Sequence, residues 1–158
     1  MTATDGELLV SIVDGIAHVT LNRPQARNAL TFGMYEELAK LCALAGTADD
    51  ADHIKAIVIA GAGDKAFAAG TDIGQFTAFE STEDGLRYEA RVEAVISQIE
   101  FCHVPVIAAL HGAVTGGGLV IAAAAHVRIA SATVVAGMTI ARTSVSYTHL
   151  TLPTILLV

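Results

Sequence analysis

The sequence contains no tryptophan and only two cysteines among its 158 residues. Cys42 and Cys102 lie far apart in apolar surroundings, which favours two buried thiols over a disulfide or a metal-binding pair. Reduced thiols are expected of a cytoplasmic protein. The six histidines do not follow the spacing of metal ligands, so no metal site is predicted.

Charged residues are also scarce, at 16% of the chain against about 25% in average soluble proteins. Nine basic residues against sixteen acidic ones give a net charge of −7, and no basic cluster is present. A protein that binds nucleic acid through its phosphates needs such a cluster, so this class is not expected. Apolar residues make up 53% of the chain, which excludes a disordered protein.

One uncharged segment, residues 104–125, has about the length of a membrane-spanning helix. Pro105 and the contiguous glycines Gly116–Gly118 interrupt it, so a strand, a turn and a helix are favoured over a single span. The polar N-terminus has no basic segment followed by an apolar one, and no signal peptide is predicted. A membrane protein is therefore the least favoured class.

Short apolar runs alternate with helical patterns, which predicts an α/β fold with right-handed crossovers. Asp14-Gly15 suits a tight turn and predicts a β-hairpin. The predicted strands are Leu8–Val13, Ala17–Leu21, Ala56–Ala60, Val106–Leu110 and Val127–Ala130, the last three of them buried. The predicted helices begin after Thr31, span Glu80–Glu100 with Leu86 on the inner face, and span Leu119–Ala125.

Three glycine-containing loops follow predicted strands. The spacing Gly61-x-Gly63-x-x-Ala66 is a loose match to a dinucleotide-binding loop and is weak evidence alone. The turns around Gly70 and Gly116–Gly118 offer backbone N–H groups that no bulky side chain covers. Two such groups could form an oxyanion hole. The glycines could equally serve only close backbone packing, and the spacing alone leaves both interpretations open.

Three segments together resemble the signatures of the crotonase (enoyl-CoA hydratase/isomerase) superfamily, in order and in spacing. They are Leu21–Leu30 (LNRPQARNAL), Lys65–Ile73 (KAFAAGTDI) and Ala108–Gly118 (AALHGAVTGGG). The resemblance covers about residues 8–143 and implies the crotonase-like spiral of strand–strand–helix units found in the ClpP/crotonase fold. Residues 1–143 are then expected to form an acyl-CoA-binding core.

The resemblance implies an activity on acyl-CoA thioesters, in which two backbone N–H groups stabilise a thioester enolate. By motif position these groups belong to Thr71 and Gly117. Coenzyme A would be part of the substrate, so no separate cofactor is expected. Arg27 could meet a coenzyme A phosphate or could be a solvated surface residue. The remaining residues implied to contact the substrate are Ala26, Ala29, Ala69, Asp72, Ile73, Gly74 and Gly116.

Two departures from the family pattern concern the hydratase glutamates, whose positions hold Val120 and Ile140. Neither side chain can move a proton, and hydration needs an acid and a base. Carboxylates near the start of the second helix could substitute, although a solvated helix start explains them better; they are Glu80, Glu83 and Asp84. A non-catalytic or inactive acyl-CoA-binding homologue is the alternative to an enzyme.

The last segment, residues 144–158, does not continue the resemblance and is predicted to be a non-family tail. It could be an artefact of the sequence or a real edge strand, and the first interpretation is favoured. The family implies a longer chain whose C-terminal region closes the acyl site and forms trimers or hexamers. We therefore expect the fold to be incomplete at the C-terminus, which puts oligomer formation by this chain in doubt.

Overall fold

The computed structural model describes residues 6–137 and the backbone of residues 155–157. The predicted domain boundary at residue 143 and the position of Ile140 lie outside the described residues. Two sheets and three α-helices make up the described part of the chain. This arrangement confirms the predicted α/β class.

The chain starts with the predicted hairpin. Strand β1 (Leu8–Val13) pairs antiparallel with β2 (Ile16–Leu21). At the turn, Asp14 has a φ of 54° and Gly15 a φ of 80°. Left-handed backbone at both central residues is what a two-residue hairpin turn requires.

The larger sheet has six strands in the order β1-β2-β3-β5-β7-β9. All pairs beyond the hairpin are parallel, and the added strands are β3 (Ala56–Gly61), β5 (Val106–Leu110), β7 (Val127–Ala130) and β9 (Ile155–Leu157). A second, three-stranded parallel sheet consists of β4 (Ala66–Ala69), β6 (Ala113–Thr115) and β8 (Val135–Gly137). Each of β3, β5 and β7 belongs to the first sheet, and the strand after it belongs to the second, so the chain alternates between two layers.

The three helices begin close to the predicted points. They are α1 (Phe32–Leu44), α2 (Thr82–Glu100) and α3 (Gly117–Ala124). The hydroxyl of Thr31 accepts a hydrogen bond from the Met34 N–H and caps α1, as the sequence predicts. Helix α3 begins inside the triple glycine, two residues before the predicted start.

Two predictions about burial are wrong. Leu86 is 61% exposed, because at 100° per residue it lies about 120° around the helix from the buried Val92. Strand β7 is buried on one face only, since Val127 and Ile129 are partly exposed. The core contains other apolar residues of all three helices, whereas Leu44 at the end of α1 is 44% exposed.

The two cysteines are free thiols, as predicted, but Cys102 is only partly buried. Cys42 is buried in the core, and its burial raises the pKa of its thiol to about 12. The Sγ of Cys102 donates a hydrogen bond to the Cys42 carbonyl oxygen. Neither thiol is part of the cavity described below.

The uncharged segment 104–125 consists of β5, β6 and α3 and not of one long helix. Among residues 6–137 and 155–157, no helix has the length and apolar character needed to cross a membrane. Arg128 is buried beside this segment, and its guanidinium donates to the carbonyl oxygens of Ala122, Ala123 and Ala125. These bonds occupy carbonyl groups at the C-terminal end of α3 that have no acceptor role within the helix.

A buried amide joins the first motif segment, Leu21–Leu30, to the glycine-containing loop before β4. Asn28 is fully buried, and its Nδ2 donates to the carbonyl oxygens of Ala62 (2.9 Å) and Ala66 (2.7 Å). Its Oδ1 accepts the Arg23 N–H at 3.0 Å. Asn28 also has a φ of 55°, a conformation that asparagine tolerates better than most residues.

The replacement Asn28→Ala should lower the free energy of unfolding by about 2–4 kcal/mol, because it leaves buried donor and acceptor groups without partners. Urea denaturation measures this value. Gly85→Ala is the control, since a Cβ at this helical position meets nothing within 4 Å. It should raise stability by about 0.5–1 kcal/mol. Equal effects of the two variants would contradict the role given to the amide.

Candidate functional site

A cavity of about 310 Å3 lies where the second and third glycine-containing segments meet helices α1 and α2. Among the predicted site residues, it is lined by Ala69, Thr71, Ile73, Gly116 and Gly117. The other described lining residues are Tyr35, Gly70, Phe76, Tyr88, Glu89, Val92, Thr115 and Val120. The lining is therefore largely apolar and aromatic, with backbone exposed at the glycines.

The orientation of the Thr71 backbone follows from a parallel bridge to Leu30. The Leu30 N–H donates to the Gly70 carbonyl at 2.8 Å, and the Asp72 N–H donates to the Leu30 carbonyl at 2.9 Å. In such a bridge, the N–H and C=O of the middle residue point away from the partner strand. The Thr71 N–H is thus directed away from Leu30, on a residue that lines the cavity.

Gly117 is the first residue of α3, and the first intrahelical bond runs from the Val120 N–H to the Gly116 carbonyl. The Gly117 N–H consequently has no acceptor within the helix, and it lies at the positive end of the helix dipole. A Cβ at Gly117 would collide with the Tyr35 hydroxyl and lie 2.8 Å from Thr71 Oγ1. A side chain at this position would therefore require the side chains of Tyr35 and Thr71, or the start of α3, to move.

Three hydroxyl groups meet beside Gly117. Thr71 Oγ1 lies 2.9 Å from Tyr35 Oη and 2.9 Å from Tyr88 Oη. Tyr35 comes from α1, Thr71 from the segment that follows β4, and Tyr88 from α2. They place a row of hydroxyls in a largely apolar cavity.

Val120, at the first hydratase-glutamate position, lines the cavity and is 2% exposed. The cavity therefore has a buried apolar side chain at this position. Among the described lining residues, Glu89 carries the only carboxylate, and it is exposed.

The carboxylates considered as substitutes do not line the cavity. Asp84 caps α2 by accepting hydrogen bonds from Ser81, which lower the pKa of its carboxyl. Glu83 forms an ion pair with Arg87 at 2.7 Å, and Glu80 is exposed just before the helix. This geometry fits the interpretation of Glu80, Glu83 and Asp84 as the solvated start of a helix.

Arg23 connects two of the segments that the resemblance assigns to the substrate. Its Nη1 donates to the Ala29 carbonyl at 2.7 Å, and its Nη2 donates to Asp72 Oδ2 at 2.7 Å. Asp72 also accepts the Gly74 N–H through Oδ1 at 3.0 Å. Asp72 and Gly74 do not line the cavity, so their contacts here hold the loop in place.

Ala26 and Arg27 lie apart from the cavity. Arg27 is exposed and lines a separate groove of about 250 Å3 together with Gln25, Asp64 and Lys65. Its carbonyl accepts the Ala69 N–H at 3.0 Å, so its backbone is tied to the strand that leads to Thr71. Ala26 belongs to the 3-10 turn that precedes it.

The dinucleotide-binding interpretation of Gly61 and Gly63 is wrong, because the loop leads into strand β4 and not into a helix. Within the described ranges, no three His, Cys, Asp or Glu side chains are grouped so that they could hold a metal ion.

A sequence model of the family described as enoyl-CoA hydratase/isomerase matches residues 11–145. The chain belongs to this family. It is 40% identical over 116 residues to a Bacillus subtilis protein named "Probable enoyl-CoA hydratase" and 35% identical over 116 residues to a short-chain-enoyl-CoA hydratase of Clostridium acetobutylicum. In both comparisons the match covers 73% of this chain and 43% of the relative, so the chain spans less than half of their length.

Solved structures of the enoyl-CoA hydratase/isomerase family have the same fold. An enoyl-CoA hydratase/carnitine racemase from Magnetospirillum magneticum superposes with a TM-score of 0.80 at 31% identity, covering 94% of this chain and 54% of that chain. An enoyl-CoA hydratase from Mycobacterium smegmatis superposes with a TM-score of 0.78 at 31% identity, with coverages of 88% and 53%. The predicted crotonase fold, present here over about half the length of these chains, is confirmed.

The sequence interpretation missed the side chains that approach Thr71 from the helices. Tyr35 lies in the first turns of α1, and Tyr88 lies on α2, where apolar residues and carboxylates dominate the sequence pattern. The available signal was a tyrosine on the inner face of each helix, because a buried phenol hydroxyl usually needs a hydrogen-bond partner.

Lowering the pH should remove the stabilisation that the Arg23–Asp72 ion pair gives to the folded state. The hydrogen bond from Arg23 lowers the pKa of the Asp72 carboxyl. Its stabilising effect is therefore complete above the unfolded-state pKa of about 3.9 and is lost as the pH falls through the lowered folded-state pKa. The stability difference between wild type and Asp72→Asn should be constant near neutral pH and shrink below about pH 4.

Urea unfolding midpoints at a series of pH values measure this difference. Asp64→Asn, at an exposed loop position, is the matched control and should show no comparable change. A difference for Asp72→Asn that stayed constant down to pH 3, or grew, would contradict the assignment.

Proposed function

We propose that this chain binds acyl-CoA thioesters and stabilises the enolate of the bound thioester through the N–H groups of Thr71 and Gly117. One observation carries the proposal: a directed strand amide and a helix N-terminal amide border the same cavity, and a Cβ at Gly117 would collide with the Tyr35 hydroxyl. Preorganised N–H donors of this kind stabilise negative charge that develops on a carbonyl oxygen. The α3 dipole adds to the effect.

The coenzyme A portion would lie along the segments Ala26–Ala29 and Ala69–Gly74, which Arg23 and backbone hydrogen bonds hold together. Arg27 and Lys65 line the separate groove of about 250 Å3 and could offer positive charge to the phosphates of coenzyme A. Coenzyme A is then part of the substrate, and the proposal includes no separate cofactor. A cytoplasmic location stays a prediction, and so does a trimeric or hexameric assembly, which is expected of the longer family chains and is in doubt for this one.

The reaction we favour is a conversion of enoyl-CoA or a related acyl-CoA, because the relatives that match carry the names of enoyl-CoA hydratases. Val120 supports one alternative, binding of acyl-CoA without turnover. A buried valine cannot act as acid or base, and hydration of a double bond needs both.

Hydration of crotonyl-CoA, followed by loss of enone absorbance, tests turnover, and calorimetry with the same compound tests binding. Turnover supports the enzyme, binding without turnover supports the alternative, and a folded chain that binds no acyl-CoA contradicts both. The carbonyl stretch of bound [1-13C]crotonyl-CoA gives a more direct test, because two N–H donors should lower its frequency relative to the free compound.

Gly117→Ala should reduce turnover by about 100-fold or more, because the added Cβ displaces α3 from Tyr35 and Thr71 and misplaces the N–H donor. It should also abolish the shift of the carbonyl stretch. Gly85→Ala adds the same methyl group where there is space, and it should leave both measurements unchanged. Wild-type turnover in Gly117→Ala would contradict the proposed oxyanion hole.

A further inference from the structure

The hydroxyl groups of Tyr35, Thr71 and Tyr88 form a row at the cavity. A hydroxyl at the end of such a row could give or take a proton. Thr71 has a single hydroxyl proton but two hydroxyl neighbours at 2.9 Å, so at least one of the tyrosines donates to it. One direction of this row runs from Tyr35 to Thr71 and from Thr71 to Tyr88. In that direction, the oxygen of Tyr88 accepts a hydrogen bond, as a phenolate would require.

We propose that Tyr88 exchanges a proton with the α-carbon of the bound acyl-CoA, and that Thr71 and Tyr35 are positioning residues for its hydroxyl. The inference rests on the proposed function, since it places the reacting carbon next to the thioester oxygen held at Thr71 and Gly117. It assigns a proton-transfer group to a cavity in which the first glutamate position is Val120.

The structure fixes the ring of Tyr88 among three phenylalanines. Its centroid lies 4.8 Å from that of Phe76 in an edge-on arrangement, 5.4 Å from that of Phe32 and 6.4 Å from that of Phe79. Aromatic contacts of this kind restrict the ring, so the position of the hydroxyl is set by packing as well as by Thr71.

The two tyrosines differ in their access to solvent. Tyr35 is 1% exposed and belongs to the core, whereas Tyr88 is half-buried and lines both the cavity and a neighbouring surface groove. Tyr88 is therefore the phenol that can meet the substrate and then recover its proton from water. Tyr35 is suited to holding Thr71 in place.

The proposed step needs no reactant besides water. Tyr88 first loses its hydroxyl proton to water, and the phenolate accepts the hydrogen bond from Thr71, which accepts one from Tyr35. The phenolate then removes the α-proton: the C–H bond breaks, an O–H bond forms at Tyr88, and the electron pair of the C–H bond forms the enolate of the thioester. The Tyr88 hydroxyl exchanges its proton for one of the solvent. In the return step the Tyr88 O–H bond breaks, a new C–H bond forms at the α-carbon, the thioester carbonyl re-forms, and the phenolate is regenerated.

Exchange of the α-protons of butyryl-CoA for deuterium in D2O, followed by proton NMR, measures this step in the full chain. Tyr88→Phe keeps the ring and its packing and removes only the hydroxyl. It should slow the exchange by about 100-fold or more, while the Kd for butyryl-CoA, measured by calorimetry, stays at the wild-type value.

Thr71 offers a matched pair of variants that both keep the backbone N–H. Thr71→Val removes the hydroxyl and should slow the exchange about tenfold or more, because the phenolate loses its donor. Thr71→Ser retains a hydroxyl and should restore an exchange rate close to that of wild type. A purely structural role for the hydroxyl row would lower the unfolding temperature of Thr71→Val without changing the exchange rate of the folded protein.

The outcomes separate this inference from the function on which it rests. No binding of butyryl-CoA overturns the proposed function and the inference together. Binding without exchange in wild type, or wild-type exchange in folded Tyr88→Phe, overturns the inference and leaves the binding function intact. Slower exchange in Tyr88→Phe and Thr71→Val, with rescue by Thr71→Ser, supports it.

Discussion

The close approach of α3 to its neighbours is the constraint on which the site depends. A Cβ at Gly117 would strike the Tyr35 hydroxyl, and a Cβ at Gly118 would strike the backbone of Ala68. Because these two residues have no side chains, the helix can begin directly beside the second sheet. Its first amide then lies next to Thr71, and the cavity is bounded by backbone at this point.

The remaining structure maintains that approach from several directions. The two layers of parallel strands place the segments after β4 and β6 side by side. The buried amide of Asn28 connects the first segment to the loop before β4, and Arg128 holds the far end of α3. The buried side chains of Asn28 and Arg128 therefore stabilise the fold, whereas the proposed chemistry uses backbone amides and hydroxyl groups.

Local patterns predicted much of the fold but less of the site. Asp14-Gly15, the Thr31 cap and the apolar strands could be recognised because a turn, a cap and a buried strand each depend on a few adjacent residues. Thr71 and Gly117 could be assigned from motif position, and the structure places both at one cavity. The hydroxyl row could not be predicted, because Tyr35, Thr71 and Tyr88 meet only through the packing of α1 and α2. The apolar character of Leu86 predicts burial, but its angle on the helix places its side chain on the exposed face.

The contacts of Arg23 make the effects of substitutions in the first and second motif segments depend on each other. One guanidinium contacts both the Ala29 carbonyl and the Asp72 carboxylate, so the first and second motif segments share a contact. Substitutions in the two segments should then have non-additive energetic effects, as expected for residues with a common partner. Double-mutant cycles across the two motifs would report this coupling energy. The first and second motif segments are therefore energetically coupled, although 49 positions separate Arg23 from Asp72.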